Sequence, residues 1–433
     1  MQRRSFLKDA GLLLTGASIL PKISHAESLD NTPFKVDSWA AVRQQFLLQT
    51  DYIHMALMLL ASHPKPVRDA IDYHRKMLDA NPCGYWESQY PTMEDSIAQS
   101  AGKFFDVDPK EIALTDSTTM GLAMLYNGFR LTENDEVLTT VHDHYSTEKS
   151  LEFAAAKSNT TIRRITLYED PAKASVDEIV TALTNGITTK TKLVAVTWVH
   201  SCTGVKLPIK VMTDAVRAVS AKQGRRIYFA VDGVHATGIE NFSIKDLGCD
   251  FFVASTHKWI FGPRGTGILW AKKDTWNQLS PTIPAFSNYA YGMWLGMVPD
   301  GKIPFGDWCT PGGFHSFEHR WALPKAFEFH TQIGRDKIES RSHELSTLLK
   351  NNLMEMKNIT LHTPASPSLS AAINCFEVAG FKNPDTVVAK LHVKKIIASS
   401  SPYRVSYVRL TPCILNSEEE VQTCLKALQT LNA

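Results

Sequence analysis

Short apolar, β-prone runs alternate with helix-period segments along most of the chain, and that alternation limits the possible folds more than any other feature. Runs at 112–115, 136–141, 191–198, 226–231 and 250–254 are separated by stretches such as 209–222 that have the length and periodicity of helices. Parallel strands need crossover connections of about a dozen residues or more, usually helical. The chain therefore reads as α/β with a mostly parallel sheet. The residues that look chemical follow these runs directly: Ser117, Thr118 and Thr119, then His144, Ser201, Asp232 and Lys258. Ligands of open α/β sheets bind beyond the carboxyl ends of the strands, so five separate segments converge on one edge.

Lys258 follows His257 and precedes the glycine-rich turn Gly262-Pro263-Arg264-Gly265-Thr266-Gly267. A lysine becomes a nucleophile toward carbonyl groups when burial or nearby positive charge lowers its pKa. Asp232 ends the run 226–231, twenty-six positions before that lysine. Taken singly, an aspartate after a strand caps a turn and a lysine beside glycines is solvated. Together they form the pair used by pyridoxal phosphate enzymes, in which a lysine holds the cofactor and an acid keeps its ring nitrogen protonated.

The segments Val231-Asp232-Gly233-Val234-His235-Ala236-Thr237-Gly238 and Ser255-Thr256-His257-Lys258-Trp259-Ile260-Phe261-Gly262-Pro263-Arg264-Gly265-Thr266-Gly267-Ile268-Leu269 resemble the class V aminotransferase family. The resemblance runs from about Tyr52 to the C-terminus. His235 is similar to the isopenicillin N epimerase and kynureninase side of the family, whereas the cysteine desulfurases carry glutamine there. The resemblance implies the pyridoxal phosphate fold type I: a large domain over 61–315 built on a mostly parallel seven-stranded sheet flanked by helices, and a smaller α+β unit. An arm over 27–60 and a connecting helix within 316–433 would complete that smaller unit.

It also implies roles. Lys258 would be the Schiff-base lysine, Asp232 the partner of the ring nitrogen, and His144 the ring stacked on the cofactor, with Tyr145 second. Ser117, Thr118, Thr119, Ser255 and His257 would hold the phosphate. Ser201, with His200 as the alternative, would meet the ring hydroxyl, and His235 would lie against the ring. Arg409 would clamp the substrate α-carboxylate, a task suited to a planar bidentate donor. His54 stands where the family often has asparagine, so substrate contact and a structural hydrogen bond are both open. Thr310, in Cys309-Thr310-Pro311-Gly312, would reach the neighbouring subunit's phosphate and imply a homodimer with shared active sites; cysteine replaces the usual glycine at 309.

Other classes fare worse. With 46 basic and 44 acidic residues the formal net charge is +2, which makes no electrostatic case for nucleic acid as partner and leaves a small amino-acid-like substrate. The seven cysteines form no Cys-x-x-Cys pair, and His142-Asp143-His144 lacks a known ligand spacing, so no metal is expected. No Gly-x-Gly-x-x-Gly follows the first strand, which disfavours a dinucleotide site. A desulfurase needs a nucleophilic cysteine shortly before the arginine; 397–402 has none, and Cys413 lies after Arg409. Transamination, epimerisation and β/γ-elimination, each starting at the α-carbon, stay open. The rival is an exported, non-catalytic binding module on the same fold, against which the intact Asp232 and Lys258 pair argues.

At the N-terminus, Arg3-Arg4-Ser5-Phe6-Leu7-Lys8, an apolar run from Ala10 to Leu20 and Ser24-His25-Ala26 resemble a twin-arginine export signal over residues 1–26. The run is too short for a bilayer, which takes roughly 20 apolar residues. A mature protein starting near Glu27 in the periplasm, exported folded with its cofactor, is the expectation. Locally, the sequence predicts a loop over 81–86, a long functional loop over 279–314, a helical stretch over 316–356 and an alternating strand over 403–412.

Overall fold

The computed structural model describes residues 34, 36–297 and 303–431. The signal-like segment lies outside the described residues. Seven strands make the large sheet: β1 (Ile112–Thr115), β2 (Glu136–Thr140), β3 (Thr161–Ile165), β4 (Thr191–Thr197), β5 (Tyr228–Asp232), β6 (Phe251–Ser255) and β7 (Gly267–Ala271). Their order across the sheet is β3-β2-β4-β5-β6-β7-β1. Only β7 runs against its neighbours β6 and β1; the other adjacent pairs are parallel.

Strands β5 and β6 are buried along their whole length, and β4 nearly so. Their unbroken apolar character is what a sheet covered by helices on both faces requires. Leu122 and Leu125 of helix Thr118–Gly128 pack with Ala113, Leu193, Ala195, Ala230, Phe251 and Val253 of the sheet. Strand β3 has no counterpart in the sequence reading. It is an edge strand whose Arg163 and Arg164 are exposed, charge of the kind that protects an edge from further pairing and also masks a strand's apolar pattern.

Two local expectations fail and a third is refined, each for an identifiable reason. Residues 81–86 are not a loop: helix Pro82–Phe105 begins there, with the Asn81 side chain accepting from the Gly84 N–H at 3.2 Å and proline in the first turn. The turn formers there are helix-start residues. The stretch 316–356 is two helices, Phe317–Ile333 and Arg335–Glu355, parted at Gly334, whose φ of 97° breaks the helical path. The first of the two packs on helices Lys65–Ala80 and Pro82–Phe105, so its packing joins it to the large layer rather than to the C-terminal unit with which the sequence reading grouped it. The strand expected over 403–412 is only Val408–Leu410. Residues 401–407 form a loop closed at its neck, with Ser401 N–H donating to the Tyr407 carbonyl and Tyr407 N–H to Ser401 Oγ, both at 2.9 Å.

The C-terminal unit holds a four-stranded antiparallel sheet in the order Ser399–Ser400, Val408–Leu410, Asn374–Val378, Ile359–Leu361. The N-terminal arm reaches it through Ile53–His54, which pairs in parallel with Ile396–Ile397. The segment 279–314 carries two short helices, Asn288–Trp294 and Phe305–Cys309.

One close approach joins the turn after β5 to the lysine segment. Gly238 has φ of 92°, and a Cβ there would lie 2.5 Å from the Trp259 carbonyl carbon and 2.7 Å from the Ile260 nitrogen. Neither backbone atom can yield without moving the residues next to Lys258. Gly238→Ala should destabilise the protein by more than about 2 kcal/mol in chemical denaturation, from backbone strain plus overpacking. An unchanged denaturation midpoint would contradict this packing.

Candidate active site

Strand ends and helix starts deliver the polar side chains to the carboxyl edge of the sheet. Asp232 is the last residue of β5 and is 2 % exposed. Its Oδ1 accepts only the Val234 N–H, at 3.2 Å. Burial raises its pKa to about 7, and the Asp143 charge adds to the rise, while the Val234 bond and the Lys258 charge oppose it. Among the described residues this carboxylate forms no ion pair, and burial outweighs the Lys258 charge and the Val234 bond set against it.

Lys258 Nζ lies 3.3 Å from His235 Nε2. Burial lowers the lysine's pKa to about 8, Arg409 lowers it further, and Asp232 opposes both. An appreciable fraction of this amine is therefore neutral near physiological pH, as a nucleophile toward a carbonyl must be. The neighbouring imidazoles are pushed the same way. Burial, then Lys258 and Arg409, lower His144, and the same influences with His144 added hold His235 well below the usual histidine range. Burial takes His257 to about 4, helped by Lys258 and Arg264. Three neutral rings thus surround one partly neutral amine.

His144 caps helix Tyr145–Ser158, its Nδ1 accepting from the Ser146 N–H at 3.2 Å. Tyr145, the second choice for stacking, is 68 % exposed and points to solvent. Ser201 Oγ is 2.8 Å from the Tyr403 hydroxyl. His200, the alternative to Ser201, is fully buried and its Nδ1 is 2.8 Å from the Tyr168 hydroxyl, so it serves a buried network behind the site.

The phosphate candidates gather at the start of helix Thr118–Gly128. Ser117 caps it by accepting the Met120 N–H, and Thr119 is exposed in its first turn. Thr118 and Ser255 bond each other instead: Thr118 Oγ1 donates to Ser255 Oγ at 2.9 Å and accepts the Ser255 N–H at 2.8 Å. That pair fastens the helix start to the end of β6 and so holds free helical N–H groups beside the lysine segment.

Arg409 is 1 % exposed. Its Nε donates to Ser399 Oγ at 3.2 Å, Nη1 to the Ser201 carbonyl at 3.0 Å and Nη2 to the Ser400 carbonyl at 2.6 Å. Those three bonds leave one N–H on each terminal nitrogen, the fork that grips a carboxylate. Among the described residues no carboxylate forms an ion pair with it.

Two expected site residues have local partners. His54 Nε2 bonds the Gln49 carbonyl at 3.0 Å, so of the two readings left open for it the structural hydrogen bond is the one observed. Thr310 Oγ1 accepts the Leu114 N–H of its own chain at 3.0 Å, which fastens its segment to β1. The sequence reading passed over Tyr403, which it took for part of a strand. Asp143, weighed in the sequence only as a metal ligand, has an Oδ2 that accepts from Thr139 and Thr140 and a charge that reaches Asp232. The neighbouring Ser401 and Ser406, both turn formers, were the available signal for the loop.

Residues 85–292 match the family described as aminotransferase class-V. Isopenicillin N epimerase of Streptomyces clavuligerus is 25% identical over 417 residues, covering 92% of this chain and 99% of that protein. A probable cysteine desulfurase of Halalkalibacterium halodurans is 26% identical over 263 residues, 59% of this chain and 60% of that protein. Among solved structures, a mutant of C-DES with glycine covalently linked to its pyridoxal phosphate cofactor superposes with a TM-score of 0.78 at 20% identity, covering 90% of this chain and 99% of that one. The apo cysteine desulfurase of Thermococcus onnurineus NA1 gives 0.75 at 21%, covering 92% and 98%. These likenesses establish the shared fold. The chain is a class V aminotransferase-like enzyme of the pyridoxal phosphate-dependent kind. Its residues fit that cofactor: a buried acid whose pKa is raised despite the Lys258 charge, a buried amine with a depressed pKa, and the buried ring nitrogens His235 Nδ1 and His257 Nδ1, which have no hydrogen-bond partner among the described residues.

The raised Asp232 pKa has a consequence for stability. The folded carboxyl keeps its proton to a higher pH than the unfolded one, so unfolding releases a proton and stability falls as pH rises from the ordinary aspartate range through about 7. In cofactor-free protein, Asp232→Asn should therefore gain on wild type by roughly 2–3 kcal/mol between about pH 5 and about pH 8. Denaturant unfolding at both pH values measures this. A difference that does not change with pH would contradict it.

Proposed function

We propose that this protein is a pyridoxal phosphate enzyme acting at the α-carbon of an amino acid, without an enzyme cysteine as nucleophile. The observation that carries the reading is a buried guanidinium with no ion-pair partner among the described residues, close enough to Lys258 for its charge to lower that amine's pKa. A buried cation is costly unless paired, and an amino acid's carboxylate is the anion that would complete it. The amino acid's α-carbon would then lie between Arg409 and Lys258.

When bound, pyridoxal phosphate supplies an electron sink conjugated to the α-carbon. Lys258 would hold it, and once released would take and return the α-proton with a pKa near the working pH. Asp232 would keep the ring nitrogen protonated, and the positive ring would in turn hold Asp232 ionised. His144 would lie on the ring face, with His235 and Ser201 at its edge. Ser117, Thr119 and His257 would face the phosphate, with Thr118 and Ser255 positioning the helix start.

Thiol chemistry has little support among the buried cysteines. Among the buried cysteines Cys202 interacts electrostatically with Arg409 and Tyr403, and burial pushes its thiol up to about 11. Burial also pushes Cys309, Cys375, Cys413 and Cys424 up to about 12. A thiolate nucleophile needs the opposite shift. Epimerisation and transamination are thus favoured over sulfur transfer to the enzyme.

The same proposal covers export by the twin-arginine route to the periplasm, carried by Arg3, Arg4 and the apolar run after them. Among the described residues no helix is long and apolar enough to cross a membrane. It also covers a homodimer, implied by the likeness of Cys309-Thr310-Pro311-Gly312 to the family segment that reaches a neighbouring subunit; Trp294 and Phe314, on either side of it in the sequence, are 77% and 79% exposed.

The test is exchange of the α-hydrogen for deuterium, followed by NMR over a panel of L- and D-amino acids with the loaded enzyme. At least one should exchange. Arg409→Ala should raise its KM by on the order of a hundredfold, as loss of a charge-assisted bidentate contact predicts. No exchange with any amino acid by a fully loaded enzyme would overturn α-carbon chemistry.

A further inference from the structure

Residues 401–407 stand between the C-terminal strand and solvent. Pro402, Arg404 and Val405 are exposed, whereas Tyr403 turns inward. The loop is fixed by the paired bonds between Ser401 and Tyr407, and by the Tyr403 N–H donating to the Ser401 carbonyl at 3.0 Å. Such a loop presents one side chain in one place. Tyr403 makes two contacts from there. Its hydroxyl is 2.8 Å from Ser201 Oγ, and its ring meets His144 edge-on, with centroids 6.1 Å apart at 75°. Meanwhile Arg409 Nη1 holds the Ser201 carbonyl. Two side chains of the C-terminal unit therefore grip both polar ends of one residue on the loop after β4.

We propose that Tyr403 is a positioning residue that donates to Ser201 Oγ and so turns the Ser201 hydroxyl proton outward, toward the ring oxygen of the bound cofactor. This inference rests on the cofactor-facing role given to Ser201 above. Either hydroxyl could donate across this 2.8 Å contact, and the shared proton is here assigned to Tyr403. A buried hydroxyl needs an acceptor, and among the described residues Ser201 Oγ is the partner of the Tyr403 hydroxyl. Burial and the charges of Cys202 and Asp143 raise the phenol's pKa, against the opposing Ser201 bond and Arg409 charge, so it keeps the proton that it needs in order to donate. Ser201, having accepted, has its own proton to give. The edge-on ring also limits rotation of His144, so one tyrosine orients the two side chains assigned to the cofactor's edge and face.

A donor on the ring oxygen favours its anionic form. Removing the Tyr403 hydroxyl leaves the Ser201 proton free to turn away, so the pH midpoint of the holoenzyme's visible absorption should move upward. Tyr403→Phe keeps the ring against His144 and removes only the hydroxyl. We expect it to raise that midpoint by about one pH unit, the size of one lost hydrogen bond to a charged group. Ser201→Ala should raise it by a similar amount, and the double variant by no more than either alone, as two members of one relay must. The inference fails if Tyr403→Phe leaves the midpoint unchanged while Ser201→Ala moves it, or if the two shifts add. It also fails if Tyr403→Phe abolishes the visible band while Tyr403→Ala retains it. A wild-type protein with no visible band after loading would instead remove the cofactor reading on which the relay rests. The outcomes are thus distinguishable in one titration series.

Discussion

The site depends on positive charge and neutral bases being crowded into a buried space with too few anions to balance them. Lys258, Arg409, His144, His235 and His257 interact there electrostatically, and burial opposes the charged form of every one. The result is a lysine with a pKa near 8 and imidazoles that are neutral at physiological pH. Asp232 is the counterpart: an acid so buried that its pKa rises to about 7 despite the nearby lysine. Each side of this imbalance is what an anionic cofactor with a protonatable ring and a carboxylate substrate would neutralise. A site satisfied in their absence would have no such drive to bind them.

The fold supplies the crowding through the way its strands end. Strands β5 and β6 are adjacent and parallel, so Asp232 and the segment after Ser255 emerge side by side. The Thr118–Ser255 bonds tie the helix start to that edge, and the tight approach of Gly238 to Trp259 fixes the height of the lysine segment above the sheet. The C-terminal unit adds what the sheet cannot. Arg409 and Tyr403 come from its strand Val408–Leu410 and the loop before it, and both reach across to Ser201. Substrate recognition and cofactor positioning thus share one contact between the two parts of the chain.

Much of this was legible in the sequence, because buried parallel strands leave an uninterrupted apolar signature and their ends name the site. Lys258, Asp232, His144 and Ser201 each follow an apolar run, whereas Arg409 was picked out by its resemblance to the family's C-terminal arginine. Strand β3 was hidden because an edge strand with exposed arginines carries no such signature. Helix Pro82–Phe105 was hidden because Asn81 and Pro82 serve turns and helix starts equally well. Tyr403 was misjudged for a different reason: its period-two surroundings mimic a strand, and only the bonds between Ser401 and Tyr407, set by tertiary structure, reveal a loop. His54 and Thr310 sit in segments whose motif resemblance is local, while their side-chain partners, Gln49 and Leu114, are set by neighbours that the motif does not contain.

The central claim is that Lys258 is the residue by which this chain holds a carbonyl cofactor. It is tested most directly by the visible absorption of the purified, pyridoxal phosphate-loaded protein before and after borohydride, with the modified peptide identified and Lys258→Ala run beside it. The account predicts a yellow wild type whose band is lost on reduction, a permanent label on Lys258, and a variant that borohydride cannot label. A wild type that stays colourless with added cofactor, or a label on another lysine, would contradict it.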